Sequence, residues 1–510
     1  MSRLALGSHG DGDGPGDIAA LAKGGRTNFF GFLLRLAARL PFLFIAGRIY
    51  GADVLGRFAY ATIIVEFAGQ LATLGLKRGL AQQLSTTERP HVHVVWDGML
   101  VGAIFSVLAA GILMMFPVLL FPNSEVNGFD WLLPLTVLGW AGSDIALAGL
   151  AYRGDIGATV KARSLIEPWT ISIAAFGFSF YSLRDGLILS YALSAAAAFV
   201  ASIWPLLREY GWPRGWRPEP VRLFRMMTRN LPLAGADAIE WGSRRLDIAI
   251  LGLFFSPAIV GIYYVAQQVA SLPQKLKTSF DPILGPVITQ NLAEENRAAV
   301  AQQVRQVGFW IIAAQVGIAL ALGIPGEAVM GLVGPKFVGG TGALGVLLAA
   351  EAIAATAVVS EAALIYIAAK RNLAISVAMI CVQTVLSVVL IYAIRAFHPV
   401  ADIRDDVFAA AGPAIALIVA LGMASVAKAR LLRRLLKARV NGWRWPLVPA
   451  VAVGTVIGVL ATWLPEWLEL ALGVPAILAG YGAVIWYRGF GKDDRILFSM
   501  KPGAAVATAG

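Results

Sequence analysis

Charged residues are scarce in this chain. Asp, Glu, Lys and Arg make up 14% of its 510 residues, against about 25% in an ordinary soluble domain. Histidine occurs four times and cysteine once. The lone Cys381 excludes any disulfide within the chain. His91 and His93 form an isolated pair in a polar connection, read as a solvated loop, and no metal site and no cofactor is expected. No phosphate-binding Gly-x-x-x-x-Gly-Lys-Ser/Thr segment occurs, so nucleotide hydrolysis is not expected to supply energy. The run from Gly10 to Asp17 lacks the closing glutamate of a calcium loop. It reads as part of a disordered tail, and the apolar run that begins near Phe29 does not read as a cleavable signal. Long hydrophilic stretches are missing too. That excludes an appended ATPase, glycosyltransferase or nucleic-acid-binding domain, none of which has room for a core.

What is present is apolar length: 58% of the residues are hydrophobic. A bilayer core about 30 Å thick needs about 20 apolar residues per helical span, and fourteen such stretches occur between residues 28 and 487. The expectation is an all-α polytopic membrane protein. The net charge of +11 would suit nucleic acid, but its distribution points to membrane topology instead. Of the 42 Lys and Arg residues, 32 fall in one alternate set of connections, six in the other, and four inside spans. The positive-inside rule therefore puts both termini in the cytoplasm, with the basic loops against anionic lipid head groups. Trp131, Trp204, Trp445 and Trp467 stand near span ends, where indole rings anchor at the interface.

Two stretches align at an offset of 205 residues: Gly51-Ala-Asp-Val-Leu-Gly56-Arg-Phe-Ala-Tyr-Ala61 and Ser256-Pro-Ala-Ile-Val-Gly261-Ile-Tyr-Tyr-Val-Ala266. Six spans separate them, an even number, so the halves enter the membrane in the same direction. This predicts two parallel six-helix lobes around a central cavity, with two C-terminal helices left over. The domains follow: a disordered tail over 1–27, an N-lobe over 28–207, a basic linker over 208–230 and a C-lobe over 231–427. A basic loop over 428–445, two helices over 446–487 and a tail over 488–510 complete the chain.

A few charges fall where lipid would be. Arg35 and Arg39 sit roughly 10 and 16 Å into the first span at 1.5 Å per residue. In the seventh span Asp237, Glu240, Arg244 and Asp247 share a stripe about 80° wide at ~100° per residue, with Arg245 to one side. The repeat offset sets Arg39 opposite Arg244 and Arg35 opposite Glu240. Such charges cost several kcal/mol each against acyl chains. Either they face a wet cavity or they are neutralised, Glu240 by Arg244 four residues on, Arg35 and Arg39 by Glu66 or Asp144. Glu351 and Glu361 in the tenth span read as satisfied polar contacts or as ion-coupling carboxylates.

The run Leu246-Asp247-Ile-Ala-Ile-Leu-Gly252, then Val260-Gly261-Ile262-Tyr263, Pro282 and Pro286, resembles the polysaccharide-transporter branch of the multidrug/oligosaccharidyl-lipid/polysaccharide exporter superfamily. So do Gly56-Arg-Phe-Ala-Tyr60, Leu74-Gly-Leu-Lys-Arg-Gly-Leu80, Val329-Met-Gly-Leu-Val-Gly-Pro-Lys-Phe337 and Gly491-Lys-Asp-Asp-Arg495. The resemblance implies an inner-membrane flippase that carries a polyprenyl-pyrophosphate-linked oligosaccharide from the cytoplasmic to the periplasmic leaflet by alternating access. It implies service to cell-surface polysaccharide such as O-antigen or exopolysaccharide, and work beside polysaccharide polymerase machinery. It also implies that cavity cations meet the pyrophosphate, which by position falls on Arg35, Arg39, Arg244 and Arg245. Arginine suits that task through its bidentate fork and permanent charge.

The acidic members of the set, Glu66, Asp144, Asp237, Glu240, Asp247, Glu351 and Glu361, depart from that pattern and read as ion-coupling or charge-pairing groups. They keep two alternatives of the same superfamily open, a cation-coupled multidrug antiporter and a peptidoglycan-precursor flippase. A polymerising or ligating membrane enzyme is disfavoured, because the outer loops near 121–131, 325–341 and 395–405 are short and carry no nucleophile with histidine. No catalytic residue is therefore expected. Two lobes in one chain already form a pathway, so a monomer is expected.

Overall fold

Glycines at 51 and 75 set the first two corners. Both adopt positive φ, +84° and +71°, which disfavours any side chain with a Cβ. The computed structural model describes residues 40–126, 128–273, 296–397 and 409–490. Arg35, Arg39, Pro282, Pro286 and the run from Gly491 to Arg495 lie outside the described residues. Among the described residues every regular element is helical. Nine helical stretches there are long and apolar enough to cross a bilayer, and Leu447–Ala461 is a shorter apolar helix.

In the first lobe, helix α1 (Gly51–Ala72), α2 (Leu76–Thr86), α3 (His91–Met115), α4 (Leu132–Tyr152), α5 (Glu167–Ser179) and α6 (Gly186–Tyr210) follow in order. The central member is α4, packed between α3, α6 and α1. Its buried Ser143 hydrogen-bonds Ser202 of α6 at 2.7 Å. The second lobe contains α7 (Pro220–Ser243), α8 (Leu246–Phe254), α9 (257–273), α10 (Arg297–Gly323), α11 (Thr341–Ile367), α12 (Ala369–Phe397) and α13 (Ala411–Leu436). The last apolar helices, α14 (Leu447–Ala461) and α15 (Val474–Val484), pack on α10 through Tyr481 and Phe309. All fourteen expected spans thus have a helical counterpart, the first described only from residue 40. Trp204, Trp445 and Trp467 are exposed, as interfacial rings should be.

The seventh helix starts at Pro220, inside the stretch expected as a linker. Proline at the first helical position has no amide to waste there. The side chains of Leu223, Met226 and Met227 then give the new helix an apolar face against the first lobe. That burial is what the basic composition of the segment conceals.

At the end predicted to face the periplasm, one apolar core runs through both lobes, from Leu55 and Tyr60 to Ile248, Tyr263 and Met330. The aligned stretches of the repeat meet here. A Cβ on Gly56 would lie 1.7 Å from the Pro257 carbonyl oxygen, and one on Gly261 2.0 Å from that of Ala52. The equivalent glycines of the two halves are thus the points where the two backbones touch.

The few arginines at this end have structural partners. Arg57 donates to Asp130 Oδ1 at 2.8 Å, to Ser124 Oγ at 3.1 Å and to the Glu125 carbonyl at 2.9 Å, and lies 4.0 Å over the Phe121 ring. Arg395 donates to the Phe254 carbonyl at 2.9 Å, and Arg48 to that of Leu332 at the same distance. They satisfy backbone oxygens that helix ends leave open. Arg57→Met would strand the fully buried Asp130 carboxylate with Arg184 at 3.7 Å. A loss of about 3–5 kcal/mol is expected, seen as a fall in thermal midpoint in detergent and largely reversed by adding Asp130→Leu.

Candidate functional site

The seventh span is not one helix. The α-helical ladder stops at Ser243 and resumes at Leu246, and the amides of Arg244 and Arg245 bond the carbonyls of Trp241 and Gly242 three residues back. Small residues at 242 and 243 leave the chain free to turn, and the break sends two adjacent arginines to different sides. Arg244 is 46% exposed at its side chain and pairs with Glu240 at 3.3 Å. Arg245, only 27% exposed, pairs with Glu66 of α1 at 3.4 Å. A straight-helix projection sets Arg245 beside the charged stripe; the break instead points it into the space between the lobes.

The carboxylates of the stripe have cationic or hydroxyl partners. Arg78 holds Asp237 at 2.9 Å and Glu240 at 2.7 Å. It reaches them because α2 turns back against α7, where a Cβ on Gly75 would already sit 2.6 Å from the Ala234 amide nitrogen. Asp247 is buried and accepts from the Tyr263 hydroxyl and the Gln267 amide, each at 2.9 Å. In the first lobe Asp144 accepts from Arg163 and pairs with Lys77 at 3.3 Å. Arg163 also holds Glu167 at 2.8 Å and stacks 4.1 Å over the Trp140 ring. In the second lobe Glu361 of α11 pairs with Lys428 of α13 at 3.0 Å, while Glu351 is half-buried on α11.

Lys77, Arg78 and Arg163 are additions that a tally of loop charges passes over. Two signals pointed to them: the spacing of Arg163 four residues before Glu167, and the recurrence of Leu76, Leu80 and Leu84 at every fourth residue, which makes that basic stretch a helix with a buried side.

A cavity of about 120 Å³ lies where the lobes face each other, lined by Glu66, Trp140, Glu167, Tyr191, Arg245 and Gln268 among others. Outside its lining, Arg78, Glu240 and Arg244 are about half exposed. Side chains so charged and so open require water in front of them, not acyl chains. Among the described residues no group of three metal-ligating side chains gathers.

Two helical lobes thus share a core at one end and face each other across ion pairs and a cavity. The model for the polysaccharide biosynthesis protein family matches residues 45–322, and the chain belongs to that family. No curated protein matches it significantly. Among solved structures, the lipid II flippase MurJ in an inward closed conformation is 10% identical, with 90% of this chain and 99% of that one covered at a TM-score of 0.68. An inward-facing MATE-family multidrug resistance transporter of the MOP superfamily is 14% identical, with 79% and 98% covered at 0.61. A MOP-superfamily transporter from Pyrococcus furiosus, described as having a binding pocket of reverse polarity, is 13% identical, with 82% and 96% covered at 0.52. At these identities the likeness is one of fold. The chain is thus a multi-pass helical membrane protein of the polysaccharide biosynthesis protein family, with the fold that these transporters share.

Proposed function

We propose that the protein flips a polyprenyl-pyrophosphate-linked oligosaccharide from the cytoplasmic to the periplasmic leaflet of a bacterial inner membrane, for surface polysaccharide synthesis. The observation that carries this reading is the broken seventh helix, which sets the half-exposed Arg244 to one side, near Arg78 of α2, and Arg245 at the cavity between the lobes. The pyrophosphate would sit on the vestibule side, against Arg244 and Arg78, and the sequence adds Arg35 and Arg39 of the first span as candidate partners. There a guanidinium offers two parallel donors to phosphate oxygens. The polyprenyl tail stays in lipid while the head group crosses, and lobe rocking exchanges access. The cytoplasmic side is the basic end, where the termini, the 208–230 connection and the 428–445 loop belong. One chain suffices for the pathway, and polymerase machinery would receive the product.

The carboxylates do not favour a cation antiporter, since Glu66, Asp144, Asp237 and Glu240 each have a basic partner. The test is a lipid extract from cells lacking the protein. Lipid-linked oligosaccharide should accumulate in the cytoplasmic leaflet and clear on complementation. With Arg244→Gln it should clear roughly tenfold more slowly, the equivalent of about one charge-assisted hydrogen bond. No accumulation, with new sensitivity to cationic drugs, would overturn the proposal in favour of the antiporter.

A further inference from the structure

The offset of 205 residues that aligns Gly56 with Gly261 also aligns Gly47, near the end of the first span, with Gly252 of α8. Each of these glycines lies against the other lobe. A Cβ on Gly47 would sit 2.9 Å from the Val333 carbonyl oxygen and 3.2 Å from the Phe337 ring, both of the second lobe. One on Gly252 would overlap the Tyr60 ring of the first lobe.

The segment that reaches across is the same in both halves, the outer connection between the third and fourth spans. In the first lobe it covers 116–131, between α3 and α4, and its Asn123 donates to the Gly252 and Phe255 carbonyls at 2.9 and 3.0 Å. In the second lobe it covers 324–340, between α10 and α11, and includes a short helix, Gly326–Val333. The Leu332 carbonyl of that helix accepts from Arg48 of the first span at 2.9 Å. Each connection also buries one phenylalanine, Phe121 or Phe337.

The polar contacts are made to carbonyls that a helix end leaves open. Helix α8 stops at Phe254, so its last carbonyls take donors from outside the helix, Arg395 of the same lobe and Asn123 of the other. Arg57 ties the first connection to its own lobe through Ser124 and the Glu125 carbonyl. Asn123 is therefore held on the first lobe while it bonds the second, and its bonds must break if the lobes part.

We propose that the two connections are reciprocal straps that latch the end predicted to face the periplasm, with Asn123 and Arg48 as the latch residues. Such a latch is reversible, because a hydrogen bond within the protein exchanges for one to water at a small net cost. The apolar contacts around it make the seal, and the hydrogen bonds set how often the seal opens. The latch acts on the ratio of closed to open forms, not on the affinity for any head group.

The experiment needs no substrate, so its failure and that of the flippase reading are separate. The exposed Cys381 is replaced by serine. A single cysteine then replaces Val260, which is 1% exposed in the shared core and lies beside Asn123. With the full chain in lipid nanodiscs, the rate of reaction with a water-soluble maleimide follows the open fraction, however small. Asn123→Ala should raise that rate roughly tenfold, for two hydrogen bonds, and Arg48→Ala roughly threefold, for one exposed bond. Asn123→Asp keeps the shape but sets a carboxylate against two carbonyl oxygens, and should raise the rate further. The double alanine variant should show about the product of the two factors, since both latches release in one movement. A cysteine at Val95, fully buried in a separate core of the first lobe, reads general loosening and should react at the wild-type rate in every variant.

Unchanged labelling at Val260 in both Asn123→Ala and Asn123→Asp overturns the proposal. An equal rise at Val95 does so too, since Asn123 would then be an ordinary helix cap. A response to Asn123→Ala with none to Arg48→Ala also overturns it, because one strap is not a reciprocal pair.

Discussion

Replacing Gly261 by leucine is expected to leave the chain inserted in the membrane but to reduce transport at least tenfold. The reason is geometric. A Cβ at this position would lie 2.0 Å from the Ala52 carbonyl oxygen and 2.9 Å from the Gly56 amide nitrogen. Both are backbone atoms, which cannot rotate away as a side-chain tip would. The helices α1 and α9 must then separate by more than an ångström, which opens the core that the lobes share around Leu55, Ile259 and Tyr263. Overpacking of this kind costs typically 1–3 kcal/mol, and 1.4 kcal/mol is already tenfold in a closing equilibrium. Gly56→Leu should behave alike, because its Cβ would meet the Pro257 oxygen at 1.7 Å. Gly482→Leu is the control, with nothing within 4 Å of its Cβ. Spin-label distances across the lobes at this end, together with leaflet-specific substrate assays, measure both consequences. A Gly261→Leu protein that transports at the wild-type rate with unchanged distances would show that lobe contact here plays no part in the cycle.

The second large effect is expected at Arg163. Its guanidinium bridges Asp144 and Glu167 and covers the Trp140 ring, and it is only 14% exposed at the side chain. Arg163→Met would leave Asp144 with Lys77 alone and take from Glu167 its Arg163 ion pair. Removing one member of such a buried set costs about 3–5 kcal/mol, because the remaining charges stay behind in a medium that solvates them badly. A loss of that size should appear as a marked drop in the thermal midpoint of the detergent-solubilised protein. Arg163→Lys should recover only part of it. One ammonium is a point charge, without the planar fork that reaches two carboxylates while stacking on an indole. Full stability of the lysine variant would show that charge alone, not the fork, holds this cluster.

The helical spans, their number and their pairing into halves were readable from linear features. Apolar runs of about twenty residues have one stable form in a bilayer, since every backbone amide and carbonyl must be satisfied within its own segment. The match of Gly56 with Gly261 at a fixed offset likewise needed no coordinates, though their contact did. Arg395 and Arg57 were counted against the charge bias, and the structure explains their position: they bond carbonyls and Asp130 at the closed end.

The site was legible only in part. Glu66, Asp144, Asp237, Glu240, Asp247, Arg244 and Arg245 were named from their presence in apolar surroundings, but of their partners only Arg244 for Glu240 was foreseen. Lys77, Arg78 and Arg163 read as loop charges because hydropathy windows treat everything between spans as solvent. The amphipathic run from Leu76 to Thr86 folds back against the seventh helix instead.

The sequence by itself determined that this protein crosses the membrane many times, in two parallel halves, with charges that have no place in lipid. Those properties depend on local composition and period, which each segment carries alone. Which charge meets which, and that Arg244 and Arg245 face apart, was decided by the tertiary structure. A helix break and the approach of a helix distant in the chain set those directions, and the period of a single segment encodes neither.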